Sequence, residues 1–137
     1  MGSGSVIRIR GLRRVQRNLN FRIRFIQGRT DAGVYEAARY ILRASDTKVP
    51  VLSGELVESG YLRPIKSIHG TAIGIGYAAV YALAVHENPL AGQLGHKNKA
   101  THSRKRYAES GEWKFLEHAA QESRRMVIEI IRKRASV

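Results

Sequence analysis

A short glycine motif is the first candidate for chemistry in this chain. Residues 74–79 are Gly-Ile-Gly-Tyr-Ala-Ala, which matches the loose form, G-x-G-x-x-A, of the dinucleotide-binding fingerprint. A working fingerprint needs an acidic residue about 20 positions further on, and enough chain for a second mononucleotide-binding half. Neither is present here. We therefore predict that Gly74 and Gly76 serve close packing of a strand, and that the protein uses no cofactor.

Histidine side chains are the next candidates, because imidazole binds metal ions and transfers protons. His86-Glu87 does not open an HExxH motif, and no carboxylate lies near His96 or His102. A metal site built from His86, His96 and His102 is the available alternative, but loop histidines at such spacings are more often solvated. Ser53 lacks the G-x-S-x-G sequence of a hydrolase nucleophile. The sequence thus predicts neither a metal site nor a catalytic site.

Positive charge is the strongest compositional signal in the chain. The 137 residues carry 24 Lys plus Arg against 11 Asp plus Glu, which gives a net charge of +13. Such a field favours nucleic acid, an acidic partner or an anionic membrane. The first 30 residues contain eight arginines and no acidic residue. This run is typical of a solvated helix face and, equally, of a surface that binds phosphates or an acidic partner.

The other totals describe a folded domain made in a reducing compartment. A hydrophobic content of 43% suits one globular domain of this length. The lack of cysteine excludes disulfides and thiolate metal sites. Residues 67–86 carry no Asp, Glu, Lys or Arg, but their glycines and histidines argue against a membrane span. We predict a flexible segment at residues 1–5 and a single domain at residues 6–137.

The spacing of apolar residues predicts an α+β fold, with helices packed against an antiparallel sheet. Residues 6–10 alternate apolar and basic, which predicts a short strand. A first helix is expected after Gly11, and we expect Gly28 to end it. A second helix, capped by Thr30 or Asp31, should follow and end before Pro50. The apolar stripe of the first helix consists of Leu12, Val15, Leu19, Ile23 and Ile26.

The middle of the chain is predicted to form a β-hairpin. Ser53-Gly54 has the composition of a turn, and residues 56–65 that of a strand with a bulge at Gly60. Residues 65–77 are the expected partner strand. Residues 78–85, which are small and apolar, are predicted to be buried.

The last third of the chain divides into a loop and a helix. Residues 88–111 are polar and basic without an apolar period, which predicts a long loop. Such a loop is either a solvated insertion or an arm that orders on a partner or on nucleic acid. Residues 112–134 are predicted to form a helix capped by Ser110, with Arg132, Lys133 and Arg134 in its last turn.

Four short motifs then occur in a recognisable order. They are Val-Pro-Val-Leu-Ser-Gly-Glu-Leu at 49–56, Ile-Gly-Tyr at 75–77, Tyr-Ala-Leu-Ala-Val-His-Glu at 81–87 and Lys-Phe-Leu-Glu at 114–117. In this ordered set, over roughly residues 6–134, the chain resembles the HK97 gp10-like family of phage head–tail connector and tail-completion (neck) proteins. It departs from the family at Leu52, where aspartate is frequent, and at Asn88-Pro89, where glycine and threonine are usual.

The resemblance implies a non-enzymatic structural protein of a tailed bacteriophage virion, made in the host cytoplasm. Members of the family assemble as a ring, here expected to be a hexamer. Portal, adaptor or head-completion proteins would lie on one side, and tail terminator or tail tube proteins on the other. Double-stranded DNA would pass through the channel, and neither a membrane nor a cofactor would be involved.

The ring assigns expected roles to two groups of residues. Basic side chains would line or rim the DNA channel or face a partner protein: Arg8, Arg10, Arg13, Arg14, Arg17, Lys97, Lys99, Arg104, Lys105 and Arg106. The strand with glycines and the segment after it would pack between subunits: Gly74, Gly76, Tyr77, Tyr81, His86 and Glu87.

Two other classes of function are compatible with the sequence. A free nucleic-acid-binding protein, monomeric or dimeric, would use the same arginines without a virion. A small RNA-cleaving, toxin-like enzyme would use His86 and Glu87 as acid and base, with arginines holding the phosphate. Assembly in solution separates the ring from the free binding protein. Cleavage of RNA that His86→Ala abolishes would identify the enzyme.

Overall fold

The fold is α+β, as predicted: a long N-terminal helix packs against a small antiparallel sheet and against the C-terminal helices. A computed structural model describes residues 10–51, 54–65, 67–68, 70–89, 91 and 111–136. The predicted strand at 6–10 lies outside these ranges except for Arg10, as does most of the predicted loop at 88–111. In chain order the elements are α1 (Leu12–Asp46), α2 (Glu55–Glu58), β1 (Gly60–Ile65), β2 (Ala72–Tyr77), α3 (Ala82–His86), α4 (Phe115–Glu122) and α5 (Arg124–Ala135).

The first helix is continuous over 35 residues, so the predicted break at Gly28 is wrong. A glycine inside a helix costs only about 1 kcal/mol relative to alanine, and good helix formers on both sides outweigh that cost. The predicted caps are wrong as well. Thr30 lies inside the helix and donates its hydroxyl to the Ile26 carbonyl at 2.9 Å, and Asp31 is likewise helical.

Among the described residues, only the second half of α1 packs against the rest of the protein. Its main neighbour is α5, and α4 and both strands contact it further along. Gly33 faces Ile131 and Arg134 of α5, and Arg134 pairs with Glu36 at 2.5 Å. The Arg29 side chain donates to the Arg134 carbonyl at 2.8 Å, close to the end of α5. The first half of α1 therefore extends beyond the end of α5.

The predicted hairpin is confirmed, with different boundaries. β1 pairs with β2 in antiparallel register, from Gly60 opposite Tyr77 to Ile65 opposite Ala72. Because this register is unbroken, the predicted bulge at Gly60 is wrong. The predicted strand at 56–65 is wrong in its first part, which forms α2 after Gly54 adopts a left-handed φ of 83°. The partner strand begins at Ala72, later than predicted.

A small core joins the hairpin to the end of α1 and the start of α4. Val49, Leu56, Ala82 and Phe115 form its buried centre. The Tyr77 ring meets Phe115 edge to face, with 5.3 Å between ring centroids. Its hydroxyl lies 2.8 Å from both the Ser45 hydroxyl and an Asp46 carboxylate oxygen. The buried polar groups of this core are therefore paired, as burial requires.

The expected burial of residues 78–85 is largely wrong. Ala82 alone among them is buried. Leu83 is 74% exposed because α3 is a single short helix with one side on the core. Val80, which precedes α3, is fully exposed. These large apolar side chains consequently face solvent beside the core.

The C-terminal helix is confirmed but is shorter and interrupted. It begins at Phe115, where residue 112 was predicted, and Ser123 separates α4 from α5. The proposed cap, Ser110, lies outside the described residues. Gly111 and Lys114 both adopt positive φ, 104° and 50°, as the chain turns into α4.

A charge cluster fixes this turn to the end of α1. The Lys48 ammonium lies 2.8 Å from Glu112 and 3.0 Å from Glu122, and the Glu112 amide donates to the Lys48 carbonyl at 2.8 Å. The hydrogen bond from Lys48 lowers the pKa of Glu112 below its ordinary 4.5. Hydrogen bonds to Glu112 and then Glu122 raise the pKa of Lys48 above 10.5.

Stability should depend on pH through this cluster. Since the pKa of Glu112 is lowered by folding, its contribution is present above pH 4.5 and is lost as the pH falls below that value. The Lys48 contribution is present below pH 10.5 and is lost above it. We expect Lys48→Met to destabilise the protein by about 1 kcal/mol or less at pH 7. Urea unfolding should show that this difference shrinks at pH 3. Arg125→Met, at an exposed position of α5, is the control. An equal loss of stability for Lys48→Met at both pH values would contradict the assignment.

Candidate assembly and nucleic-acid interface

The first half of α1, residues 12–27, is exposed along its whole length, and we call it the arm. Every residue from 10 to 28 is exposed. At 1.5 Å per residue the arm extends for about 24 Å. Helices in globular proteins owe most of their stability to packing of one face. An amphipathic helix of this length whose apolar face is exposed is therefore a candidate surface for a partner.

One side of the arm is basic. Successive helical residues turn by about 100°, which places Arg13, Arg17 and Arg24 within a sector of about 40°. Arg14 lies about 60° beyond that sector, and Arg10 precedes the helix by two residues. All of these arginines are exposed. Of the predicted partner-facing arginines of this region, Arg13 and Arg17 therefore share one surface and Arg14 lies at its edge beyond the exposed Phe21, whereas Arg8 lies outside the described residues.

The opposite side of the arm is apolar. The five residues of the predicted stripe fall within a sector of about 80°, which is centred well away from the arginines. Their exposed fractions are large: Leu12 58%, Val15 63%, Leu19 56%, Ile23 44% and Ile26 43%. The same sector, continued along α1, contains Gly33 and Ala37, which pack against the body of the protein. The apolar face that packs against α5 in the second half of α1 thus continues along the arm, where no other described element covers it.

The two glycines of the fingerprint-like motif are packed inside the hairpin. A Cβ on Gly76 would lie 2.8 Å from the Tyr61 hydroxyl oxygen, because the Tyr61 ring covers this position from the opposite strand. A Cβ on Gly74 would lie 3.2 Å from the side chain of Ile65, which, like Tyr61, is on the opposite strand β1. Close packing was predicted for both residues, and here the protein's own side chains provide it.

Tyr77 and His86 are partly buried against Phe115 of the core, and they also line an open pocket of about 240 Å³ beside Leu83. Burial raises the pKa of the Tyr77 hydroxyl, and the neighbouring Asp46 carboxylate adds to that shift. The His86 ring meets Phe115 edge to face at 4.9 Å, and its Nδ1 lies 2.9 Å from the Glu87 carboxylate. The His86 carbonyl accepts the Lys114 amide at 2.7 Å. The Tyr77 ring therefore holds the start of α4 against β2, and the His86 ring holds it against α3.

The residues around α3 form a second exposed surface, which we call the knob. It consists of Val80, Tyr81 and Leu83, flanked by the carboxylates of Glu55 and Glu87. The Tyr81 hydroxyl lies 3.4 Å from Glu55, which ties α3 to α2. Sequence reasoning missed this surface because it assigned residues 78–85 to the core. The signal available was the pair of glutamates at its edges.

The remaining candidates from the sequence lie outside the described ranges. They are Ser53, His96, His102, Lys97, Lys99, Arg104, Lys105 and Arg106. Within the described ranges, no group of three or more His, Cys, Asp or Glu side chains is arranged to hold a metal ion. No helix among the described residues is long and apolar enough to cross a membrane.

Searches against protein-family models, curated proteins and solved structures give no match to this chain. The evidence on function therefore comes from the fold and from its two exposed surfaces, the arm and the knob. They define an α+β protein with a basic, amphipathic helical arm at one end and an apolar, acid-flanked knob beside its core.

Proposed function

We propose that this protein is a structural subunit of a tailed-phage neck, which assembles as a ring around the DNA channel between portal and tail. The observation that carries the proposal is the arm, which presents basic and apolar faces on opposite sides of one exposed helix. A ring subunit needs both kinds of face, one towards DNA and one towards a neighbouring subunit.

The hairpin adds to the argument for assembly. Among the described residues the sheet has two strands, so in that part of the chain each strand has one edge that pairs with no other strand. A two-stranded sheet is marginal by itself and gains from packing on further elements. Tyr61 and Ile65 on β1 are about half exposed. A ring of subunits would cover such surfaces, whereas a free monomer would leave them in water.

The basic face suits DNA that moves through a channel. Arginine contacts to phosphates are independent of base sequence, so they can hold DNA at any register. The resemblance to neck proteins adds the biological setting, with a hexameric ring, portal-side proteins and tail proteins as partners. A free nucleic-acid-binding protein that stays monomeric would use the same arginines but would have no need of the apolar face of the arm.

The phosphate role of the arm has a direct test. We expect Arg13→Ala, Arg14→Ala and Arg17→Ala, combined in one variant, to weaken binding to duplex DNA about equally for all sequences. The slope of log K against log salt should become shallower by about 3, since each lost phosphate contact removes about 0.9. Fluorescence anisotropy across a salt series measures this slope.

The matched control removes the same charge elsewhere. Arg124, Arg125 and Arg132 are exposed on α5, and their combined replacement by alanine should leave the slope nearly unchanged. Equal changes for the two variants would mean that only the net charge matters. An unchanged slope for the arm variant would refute the phosphate role.

A further inference from the structure

We infer that the apolar stripe of the arm docks on the knob of a second copy of the chain, which links subunits head to tail. This inference rests on the proposed ring and names the surfaces that would join its subunits. The occupant is a second copy because the chain itself carries a surface of matching chemistry. That surface is the knob, whose exposed Val80 and Leu83 lie between Glu55 and Glu87.

The two surfaces lie at opposite ends of the molecule. α1 is 35 residues long, which corresponds to about 50 Å, and the arm is its N-terminal part. The knob is attached to the C-terminal end of α1, because Ala82 packs with Val49 in the core and Tyr77 contacts Ser45. The arm and the knob of one molecule therefore cannot meet. A contact between different surfaces of two copies repeats from subunit to subunit and closes a ring when the rotation allows.

The charges of the two surfaces are complementary. Arg22 lies about 40° from Ile26 around the helix, so it borders the stripe and can approach a carboxylate of the knob. Glu55, which contacts Tyr81, and Glu87, four residues after Leu83, are both exposed at the knob. The other arm arginines point away from the stripe and stay available for DNA while the stripe is covered.

A contact between two arms is the competing arrangement, and charge disfavours it. Two arms packed stripe to stripe would bring the bordering Arg22 side chains of two basic helices together, and residues 1–30 contain no carboxylate to offset the repulsion. One face of a helix of this length offers roughly 400 Å², about half of what one partner buries in a typical stable interface. Each arm–knob contact is thus weak alone, and closure of the ring provides the stability.

Cysteine crosslinking tests the pairing directly, since the natural chain has no cysteine. One full-length variant carries Ile23→Cys in the arm, and a second carries Leu83→Cys in the knob. Both positions are exposed, so folding should be preserved. With a flexible bis-maleimide, the mixture should give a covalent dimer that contains one copy of each variant. Ile128→Cys, half exposed on α5, replaces the knob variant as control and should give several-fold less product.

Three results would overturn the inference. They are strong dimers of the Ile23→Cys variant with itself, equal yields with the knob and α5 partners, and no product with either. The first result identifies arm–arm pairing. After the second or third result, the ring proposal still holds if the unmodified chain forms rings. Failure of the arm–knob contact can therefore be distinguished from failure of the ring proposal.

A second pair of variants gives an independent measurement. Leu19→Glu with Ile23→Glu removes the arm surface, and Val80→Glu with Leu83→Glu removes the knob surface. Neither variant alone should self-associate, whereas a mixture at high protein concentration should form weakly bound heterodimers and nothing larger, because only one intact arm and one intact knob remain. Native mass spectrometry resolves these species, and circular dichroism checks the fold of each variant. Rings formed by either variant alone would contradict the assignment.

Discussion

Gly111→Ala is expected to cost about 3 kcal/mol or more of the free energy of unfolding, or to prevent folding. Gly111 has a φ of 104°, where residues with a Cβ are strained. The added Cβ would also lie 2.7 Å from the Val49 carbonyl carbon and still closer to Pro50. These are backbone atoms beside the core, so no side-chain rotation relieves the overlap. Urea denaturation followed by circular dichroism measures the loss.

Gly54→Ala separates strain from overlap. Gly54 has a similar φ of 83°, but no atom lies within 4 Å of the position that a Cβ would take. We expect this control to cost about 1 kcal/mol, from backbone strain alone. Equal losses for the two variants would mean that residue 111 does not pass against Pro50 as described.

Gly33→Leu is the second substitution with a large expected effect, about 3 kcal/mol. α1 and α5 approach each other closely at Gly33. A Cβ added to this residue would lie 3.1 Å from Arg134 Cβ and 3.2 Å from Ile131 Cα. A leucine there would push the two helices apart and strain the Arg134–Glu36 pair. Thermal and urea unfolding of the full chain measure the change.

Gly28→Leu is the matched control on the same helix. Nothing lies within 4 Å of a Cβ at this position, and leucine favours the helix over glycine by about 0.8 kcal/mol. We expect the control to be neutral or stabilising. A large loss at position 28 would show that α1 breaks there, as the sequence alone suggested, and would contradict the continuous arm.

The local elements could largely be predicted from the sequence, because local patterns determine them. The alternation of isoleucine and glycine before Tyr77 predicts β2, and the apolar period after Phe115 predicts the C-terminal helix. Gly28 was misleading because glycine weakens a helix without preventing it. The short helix α2 was missed because its four residues, Glu-Leu-Val-Glu, are too few to show a helical period.

The candidate interface could be predicted only in part. The arginine run was visible, since charge needs no knowledge of packing. The exposure of the apolar stripe was not, because a periodic stripe looks the same whether the molecule or a partner covers it. Its exposure depends on where α5 ends relative to α1, which is a tertiary property. The knob was hidden for the same reason, because α3 buries Ala82 and leaves Leu83 in solvent.

The most direct test of the central claim is the size and shape of the purified full-length protein, alone and with long duplex DNA. Native mass spectrometry and electron microscopy would provide both. The ring proposal predicts closed rings of uniform subunit number, hexamers by the resemblance, with DNA threaded through the opening. A protein that remains monomeric under all conditions, and coats DNA as separate subunits in proportion to DNA length, would contradict it.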